Sequence, residues 1–194
     1  MPIMIALLRG VNVGGHHKIK LEELRALCQS LKLRDSQTYV QSGNVVFRSE
    51  EANTLRLAKR LEEAIERKFG FHADVVLRTA VELKDCIARS PFAARRGLEP
   101  GKLIVTFFAS DLEKERCDQI QAIQAQEEIR LAKRELYIYF PDGMGRSKLV
   151  PVLDRTLKKT GTARNWNTVT KLLEMAEALE GAEKSTRNRG ATKS

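Results

Sequence analysis

Hydrophobic and polar positions in the first half of the chain follow a fixed order of strand-like and helix-like blocks. Short apolar or alternating runs, typical of strands, occur at residues 3–8, 38–41, 45–48 and 73–78. Apolar residues recur at helical spacing from Leu21 to Leu31 and from Leu57 to Phe69. The turn-forming residues Ser42, Gly43 and Asn44 separate the second and third strands. The predicted order is therefore β-α-β-β-α-β.

The second half repeats this order of elements without repeating the sequence itself. Strands are predicted at residues 103–108, 129–132, 136–140 and 162–166. Helices are predicted around residues 110–123, 149–157 and 169–179. The order matches the split βαβ, or ferredoxin-like, arrangement, in which helices cover one face of an antiparallel sheet.

These patterns predict an α+β fold with two tandem ferredoxin-like halves, a C-terminal helix and a disordered basic tail. The predicted segments are a first half with its connecting helix (1–89), a Pro/Gly connector (90–101), a second half with its closing helix (102–180) and a flexible tail (181–194). Two capping boxes, Thr79-x-x-Glu82 and Ser110-x-x-Glu113, indicate helix starts.

Composition narrows the class of protein. Hydrophobic residues make up 42% of the 194 positions, which is enough for packed cores, and no apolar run reaches the length of a membrane span. Cys28, Cys86 and Cys117 are an odd number of cysteines without close spacing, which argues against a disulfide scaffold and a zinc ribbon. We therefore expect a soluble, cytoplasmic protein with reduced thiols, no membrane association, no metal site and no cofactor.

The positive charge is concentrated in a few segments. The formal net charge is +9, and residues 144–164 alone carry +5, whereas residues 36–143 carry no net charge. Localised positive charge suits an anionic partner better than a diffuse excess does. The charge pattern therefore makes nucleic acid or a nucleotide a candidate partner.

The predicted topology brings two pairs of loops together at sheet ends. In the first half, residues 10–18 are expected beside residues 41–44, and in the second half residues 143–147 beside residues 165–168. Each pair combines glycines, amides, hydroxyls and cations, the groups that bind an oxyanion. Ser147 also suits the start of the following helix, and its loop lacks the spacing of a P-loop.

Three blocks of sequence resemble the bacterial domain-of-unknown-function family 1697. They are LLRGVNVGG at residues 7–15, TYVQSGNVVF at residues 38–47 and TARNWNTVTKLLEMA at residues 162–176. The resemblance extends to about Leu179 and implies two tandem ferredoxin-like halves, but it names no reaction. The positions that carry it are Arg9, Gly10, Asn12, Gly14, Gly15, Gln41, Ser42, Gly43, Asn44, Arg164, Asn165, Trp166 and Thr168.

The leading hypothesis is a binding protein for a phosphate-bearing ligand, either nucleic acid or nucleotide. The candidate ligand-binding residues are Arg9, Asn12, Gly14, Gly15, Lys18, Gln41, Ser42, Asn44, Arg146, Ser147, Lys148, Arg164, Asn165, Trp166 and Thr168. Two alternatives use the same features: an enzyme of unknown reaction, or a regulatory or assembly domain without a phosphate ligand. No catalytic residue is identified, because the positions that carry the resemblance include no Asp or Glu and because His16-His17 has no third ligand.

Three aromatic residues have two interpretations each. Tyr137 and Tyr139 alternate with apolar residues, so they either stack on bases or pack against the first half of the chain. Trp166 either closes the core beneath the last helix or exposes its ring to a base beside Arg146, Lys148 and Arg164. The sequence leaves the oligomeric state open.

Overall fold

The computed structural model describes residues 1–158 and 160–191. The first elements are β1 (Ile3–Leu8), α1 (Leu21–Ser30), β2 (Arg34–Tyr39), β3 (Asn44–Arg48), α2 (Thr54–Phe69), β4 (Val75–Thr79) and α3 (Ala80–Ala88). The later elements are β5 (Leu103–Phe107), α4 (Lys114–Gln121), β6 (Glu128–Ala132), β7 (Glu135–Tyr139), α5 (Leu149–Thr156), β8 (Thr162–Asn165) and α6 (Trp166–Ala191). The two β-α-β-β-α-β series appear in the predicted order, with α3 between them.

The strands form two separate four-stranded sheets in which all neighbours are antiparallel. Their orders are β2-β3-β1-β4 and β6-β7-β5-β8. In each sheet the first and third strands of the series lie at the centre. The end of a central strand therefore lies beside the start of its neighbours, and this brings the candidate loops to one end of each sheet.

The chain divides into two compact units. One unit contains residues 1–84 together with the segment from Lys171 onward, and the other contains residues 85–170. The sequence placed the closing helix with the second half, whereas in the structure most of α6 groups with the first unit. Helix α6 therefore belongs to both units.

The first unit has its main core between the sheet and helices α1 and α2. One face of β1 contributes Met4, Ala6 and Leu8, and these pack with apolar residues of both helices. All six residues of β1 are buried, so the opposite face of this strand is covered as well. On β3, the buried Arg48 donates from Nη2 to the carbonyl of Leu179 in α6 at 2.6 Å. The expectation that only one face would be covered is therefore wrong for this sheet.

The second unit has a smaller core between its sheet and helices α4 and α5. Ile120 of α4 and Leu149 and Leu153 of α5 pack on Leu136 and Ile138 of β7. These positions show the spacing of about 3.6 residues in the helices and of two residues in the strand that the sequence indicated. This packing holds the loops before β6 and after β7 next to each other.

Helix ends differ from the predictions at two places. The Thr79–Glu82 capping box is confirmed, because Thr79 N donates to Glu82 Oε2 at 2.8 Å and Glu82 N donates to Thr79 Oγ1 at 3.1 Å. The Ser110–Glu113 capping box is wrong, because α4 begins only at Lys114. Helix α6 continues to Ala191 where a flexible tail was expected from residue 181, while residues 192–194 lie outside the described residues.

Candidate functional site

The loop after β1 and the turn before β3 are joined by the side chain of Asn12. Its Nδ2 donates to the carbonyls of Ile19 at 3.0 Å and Gln41 at 2.6 Å, and its Oδ1 accepts from Ile19 N at 2.9 Å. Asn12 adopts a left-handed backbone with φ 57°, which asparagine tolerates better than most residues. The two loops are therefore together as expected, but the Asn12 amide holds the loops and is not free for a ligand.

The turn between β2 and β3 is also built around a buried amide. Asn44 is fully buried, and its Nδ2 donates to Tyr39 O and to Ser42 Oγ, both at 3.0 Å. Gly43 accepts at its carbonyl from Leu8 N at 2.8 Å. Ser42 and Asn44 therefore stabilise the turn, and the Asn44 side chain is closed to solvent.

Arg9 directly follows β1, and its positive charge is partly balanced by the carboxylate of Asp74. Its Nη1 lies 3.2 Å from Asp74 Oδ2, and Asp74 also contacts His72 Nε2 at 3.1 Å through Oδ1. The hydrogen bond with Asp74 raises the pKa of His72 above its usual value. Among the candidate residues of this loop pair, four are exposed: Gly14, Gly15, Lys18 and Gln41.

Arg164 is a structural residue of β8. Its side chain is buried, and Nη1 donates to Thr162 Oγ1 at 2.7 Å and to Ala163 O at 2.8 Å. Burial lowers the pKa of this guanidinium to about 10. A ligand phosphate does not reach a guanidinium in this position without displacing the local packing.

Asn165 and Trp166 form the start of α6. Asn165 Oδ1 accepts from Asn167 N at 3.0 Å, and its Nδ2 donates to Gly101 O at 2.8 Å. Trp166 is half-buried, with its ring centroid 6.4 Å from that of Tyr137, and Thr168 is half-buried as well. The asparagine therefore caps the helix and ties it to the turn before β5.

The two tyrosines of β7 are buried. Tyr137 Oη donates to the carbonyl of Cys86 at 2.9 Å, and Tyr139 packs against the ring of Phe92 with centroids 6.2 Å apart. The Arg95 guanidinium lies over the ring of Tyr139, 4.2 Å from its centroid. Base stacking on either tyrosine is therefore wrong, and both residues pack, within the second unit, on α3 and the segment that follows it.

A cleft of about 810 Å³ opens in the second unit between the loop before β6 and the loop after β7. Both loops and the first turns of α5 contribute its lining. The lining residues are Ile123, Gln124, Ala125, Gln126, Glu127, Phe140, Pro141, Asp142, Gly143, Arg146, Ser147, Lys148, Leu149 and Val152. Three candidate residues from the sequence, Arg146, Ser147 and Lys148, therefore share one concave surface.

The two cations of this cleft are exposed, whereas the carboxylate of Glu127 is held by a hydrogen bond. Arg146 and Lys148 are exposed, and neither forms an ion pair with any residue that the structure describes. Ser147 Oγ donates to Glu127 Oε1 and accepts from Leu149 N at 3.0 Å, so the serine links the first backbone amide of α5 to the Glu127 carboxylate. The side chains that remain available to an anion are those of Arg146 and Lys148.

Residues 143–147 and 165–168 lie at the same end of the second sheet, but no hydrogen bond or ion pair joins these described residues. The turn before β5 lies between them, since Phe140 N donates to Lys102 O at 2.9 Å and Asn165 donates to Gly101. The sequence missed the neighbour that 143–147 does contact, residues 123–127. The element order could have indicated this neighbour, because the loop leading into β6 must reach the sheet end where β7 finishes.

The described residues contain neither a membrane-spanning helix nor a cluster of metal-ligating side chains. No helix there has the length and apolar character that crossing a membrane requires. No group of three or more His, Cys, Asp or Glu side chains there is arranged to hold a metal ion.

Comparison with known proteins places the chain in a family. No curated protein matches this sequence. The chain is similar to the conserved bacterial protein SP0830 from Streptococcus pneumoniae, with a TM-score of 0.76, 21% sequence identity and coverage of 91% of this chain and 99% of the other. At that identity the similarity shows the fold alone. The model of the family "Protein of unknown function (DUF1697)" matches residues 1–137, more than half of the chain, and the protein therefore belongs to the DUF1697 family.

Proposed function

We propose that the second unit binds a nucleotide in the cleft between the loops 123–127 and 140–148. The observation that carries the proposal is the pair of exposed cations, Arg146 and Lys148, which line this cleft without an ion-pair partner among the described residues. An arginine and a lysine next to one another suit a phosphate group, since both donate charge-assisted hydrogen bonds.

The shape of the cleft favours a small molecule over a long polynucleotide. Its volume of about 810 Å³ lies in the usual range of roughly 300–1,000 Å³ for small-ligand pockets. Single-stranded nucleic acid is usually held by several exposed aromatic rings. Tyr137 and Tyr139 are buried, so the second sheet offers no such rings on β7.

The lining also suits a ligand with one charged and one apolar end. The half-buried Ile123 and Val152 supply apolar surface, while Arg146 and Lys148 supply the positive charge. A nucleobase has the flat apolar faces that such a wall contacts, and its phosphates are the complementary charge. The carboxylates Glu127 and Asp142 add acceptors for the amino groups of a base or the hydroxyls of a ribose.

We also infer that each unit contains a ferredoxin-like βαββαβ module, and we place the protein in the cytoplasm. The strand orders β2-β3-β1-β4 and β6-β7-β5-β8 support the first inference, because they interleave the two β-α-β pairs of each series. The three cysteines Cys28, Cys86 and Cys117, none of which forms a disulfide in the described part of the chain, support the second, since reduced cysteines are usual inside cells.

A titration of the full-length protein with fluorescently labelled ATP tests the binding proposal. We expect saturable anisotropy that weakens with added salt, and unlabelled ATP should compete better than inorganic triphosphate because only ATP contacts the apolar wall. In the double variant Arg146→Ala/Lys148→Ala, binding should weaken about tenfold or more, given ~1.5–3 kcal/mol for a hydrogen bond to a charged group.

The matched control is Lys59→Ala/Arg96→Ala, which removes the same charge at exposed positions outside the cleft. It should bind within about twofold of the wild type, because distant surface charges are screened. Equal weakening in both double variants would show that only net charge matters and would contradict the proposal. Tight binding of an oligonucleotide with no binding of ATP would favour the nucleic-acid alternative instead.

A further inference from the structure

The outer strand of the second sheet, β6, is an edge strand whose pairing with β7 contains no bulge. Its five residues pair with β7 in one uninterrupted register, from Glu128 opposite Tyr139 to Ala132 opposite Glu135. The corresponding edge β2 is broken by a register shift between Arg34 and Gln37. Bulges of that kind discourage another strand from adding to an edge, and β6 has none.

The free side of β6 carries the carbonyl of Ile129, which the Arg130 side chain covers in the single chain and releases when a second strand pairs there. The exposed Arg130 guanidinium donates from Nη1 to the carbonyl of Ile129 at 2.9 Å. A carbonyl that accepts from an exposed side chain lies on the outer side of the strand and not in the ladder with β7. In an antiparallel ladder every second residue directs its backbone groups outward, so Leu131 shares this direction.

In one antiparallel register, the charged residues of β6 in one copy lie opposite residues of the other sign in β6 of a second copy. If two copies pair about a two-fold axis at Ile129, then Glu128 of each copy lies opposite Arg130 of the other. Ile129 then lies opposite Ile129 of the second copy. An axis at Arg130 instead sets two guanidinium groups opposite each other, which is unfavourable.

The side chains around β6 fit this register. Ile129 and Leu131 are half-buried and border a groove of about 250 Å³ between α4 and β6, which is lined also by Ile120 and Ile123. Glu128 lies on the other face, where it pairs with Arg95. Pairing of two copies would cover the exposed part of the apolar groove and leave the charged pairs on the opposite face.

We infer that the protein self-associates through β6, forming a two-fold dimer in which the two second sheets join into one eight-stranded sheet. The contact is a short strand pair, so the dimer is a weak one that depends on protein concentration. The inference does not depend on nucleotide binding, because none of the groups that form it is Arg146 or Lys148.

Sedimentation experiments on charge-swapped variants of the full-length protein test this dimer. Wild type should show a concentration-dependent dimer below roughly 1 mM protein. Glu128→Arg and Arg130→Glu should each weaken self-association about tenfold, because two symmetric attractive pairs become repulsive. An equimolar mixture of the two single variants should form a heterodimer, since positions 128 and 130 that face each other then carry opposite charges again.

The double variant Glu128→Arg/Arg130→Glu should recover self-association while still lacking the Glu128–Arg95 pair. This recovery separates the contact between copies from any loss of stability within one chain, and melting curves of all variants check that they fold. Glu63→Arg and Arg67→Glu are the controls with the same charge changes at exposed positions of α2. A wild type that stays monomeric throughout, or single variants that associate as well as the wild type, would overturn the inference.

Discussion

The hydroxyl of Tyr137 on β7 donates to the main-chain carbonyl of Cys86 near the end of α3, at 2.9 Å. The last carbonyls of a helix have no partner within the helix, and here a buried tyrosine supplies one. The same hydroxyl lies 3.0 Å from Cys86 Sγ. Tyr137, which the sequence offered as a candidate for base stacking, therefore links α3 to the sheet within the second unit.

Replacing Tyr137 by phenylalanine should destabilise the fold and leave nucleotide binding unchanged. The variant removes a buried hydroxyl that bonds the Cys86 carbonyl, so the free energy of unfolding should fall by about 1–3 kcal/mol. Urea denaturation measures this change, and Tyr39→Phe serves as the control at a half-buried tyrosine. An unchanged midpoint would contradict the role assigned to the hydroxyl.

Alanine at Gly43 should be much more costly than alanine at Gly10. Both glycines have positive φ, 72° and 66°, so each substitution costs roughly 1–2 kcal/mol of backbone strain. A Cβ at Gly43 also lies 2.8 Å from Leu8 Cβ, whereas a Cβ at Gly10 has nothing within 4 Å. Overpacking should add about 1–3 kcal/mol at Gly43 only. Thermal or chemical unfolding of the two variants compares them, and equal losses would show that the close approach relaxes without cost.

Asn12 should tolerate glycine better than alanine, although both variants are destabilised. Each removes the bonds to Ile19 and Gln41, at about 1 kcal/mol for a typical hydrogen bond. Glycine keeps the left-handed backbone of residue 12 without strain, so alanine should cost roughly 1 kcal/mol more. Denaturation midpoints for the pair give the difference. If alanine is the milder change, the backbone conformation is not what selects asparagine here.

The stability of the protein should fall in alkaline solution partly because of Cys28. Burial raises the pKa of its thiol from 9.0 to about 12, so between these values the unfolded chain releases a proton that the folded chain retains. The stability present below pH 9 is therefore lost as the pH rises toward 12, by about 1.4 kcal/mol per pH unit.

Urea unfolding at pH 8 and pH 10.5 measures this contribution. The decrease between the two pH values should be smaller in Cys28→Ala by about 2 kcal/mol, which is 1.5 pH units of the expected slope. Cys117→Ala keeps the buried Cys28 thiol and should show the full decrease of the wild type. The same decrease in all three proteins would assign the alkaline loss to other groups.

Several features of the fold followed from local patterns in the sequence. The order of strands and helices follows from the period of the apolar residues, which depends only on neighbours a few positions away. The Thr79–Glu82 capping box is a local contact of the same kind. The position of the loops 10–18 and 41–44 at the same end of the sheet followed from the order of the elements and from the way short connections link strands in a small sheet.

Burial and partners at the candidate site were decided only by the tertiary structure. Arg164 and Arg146 are both arginines after glycine-containing turns, yet the packing of β8 buries the first and the cleft leaves the second exposed. Ser147 meets Glu127 across twenty positions because the register of β6 with β7 brings their loops together. The local spacing of apolar and polar residues along the chain is enough to specify which elements form and in what order. The tertiary structure decides which polar groups are buried and which remain accessible. The reason is that the electric field and the packing contacts at a side chain come from segments distant along the chain.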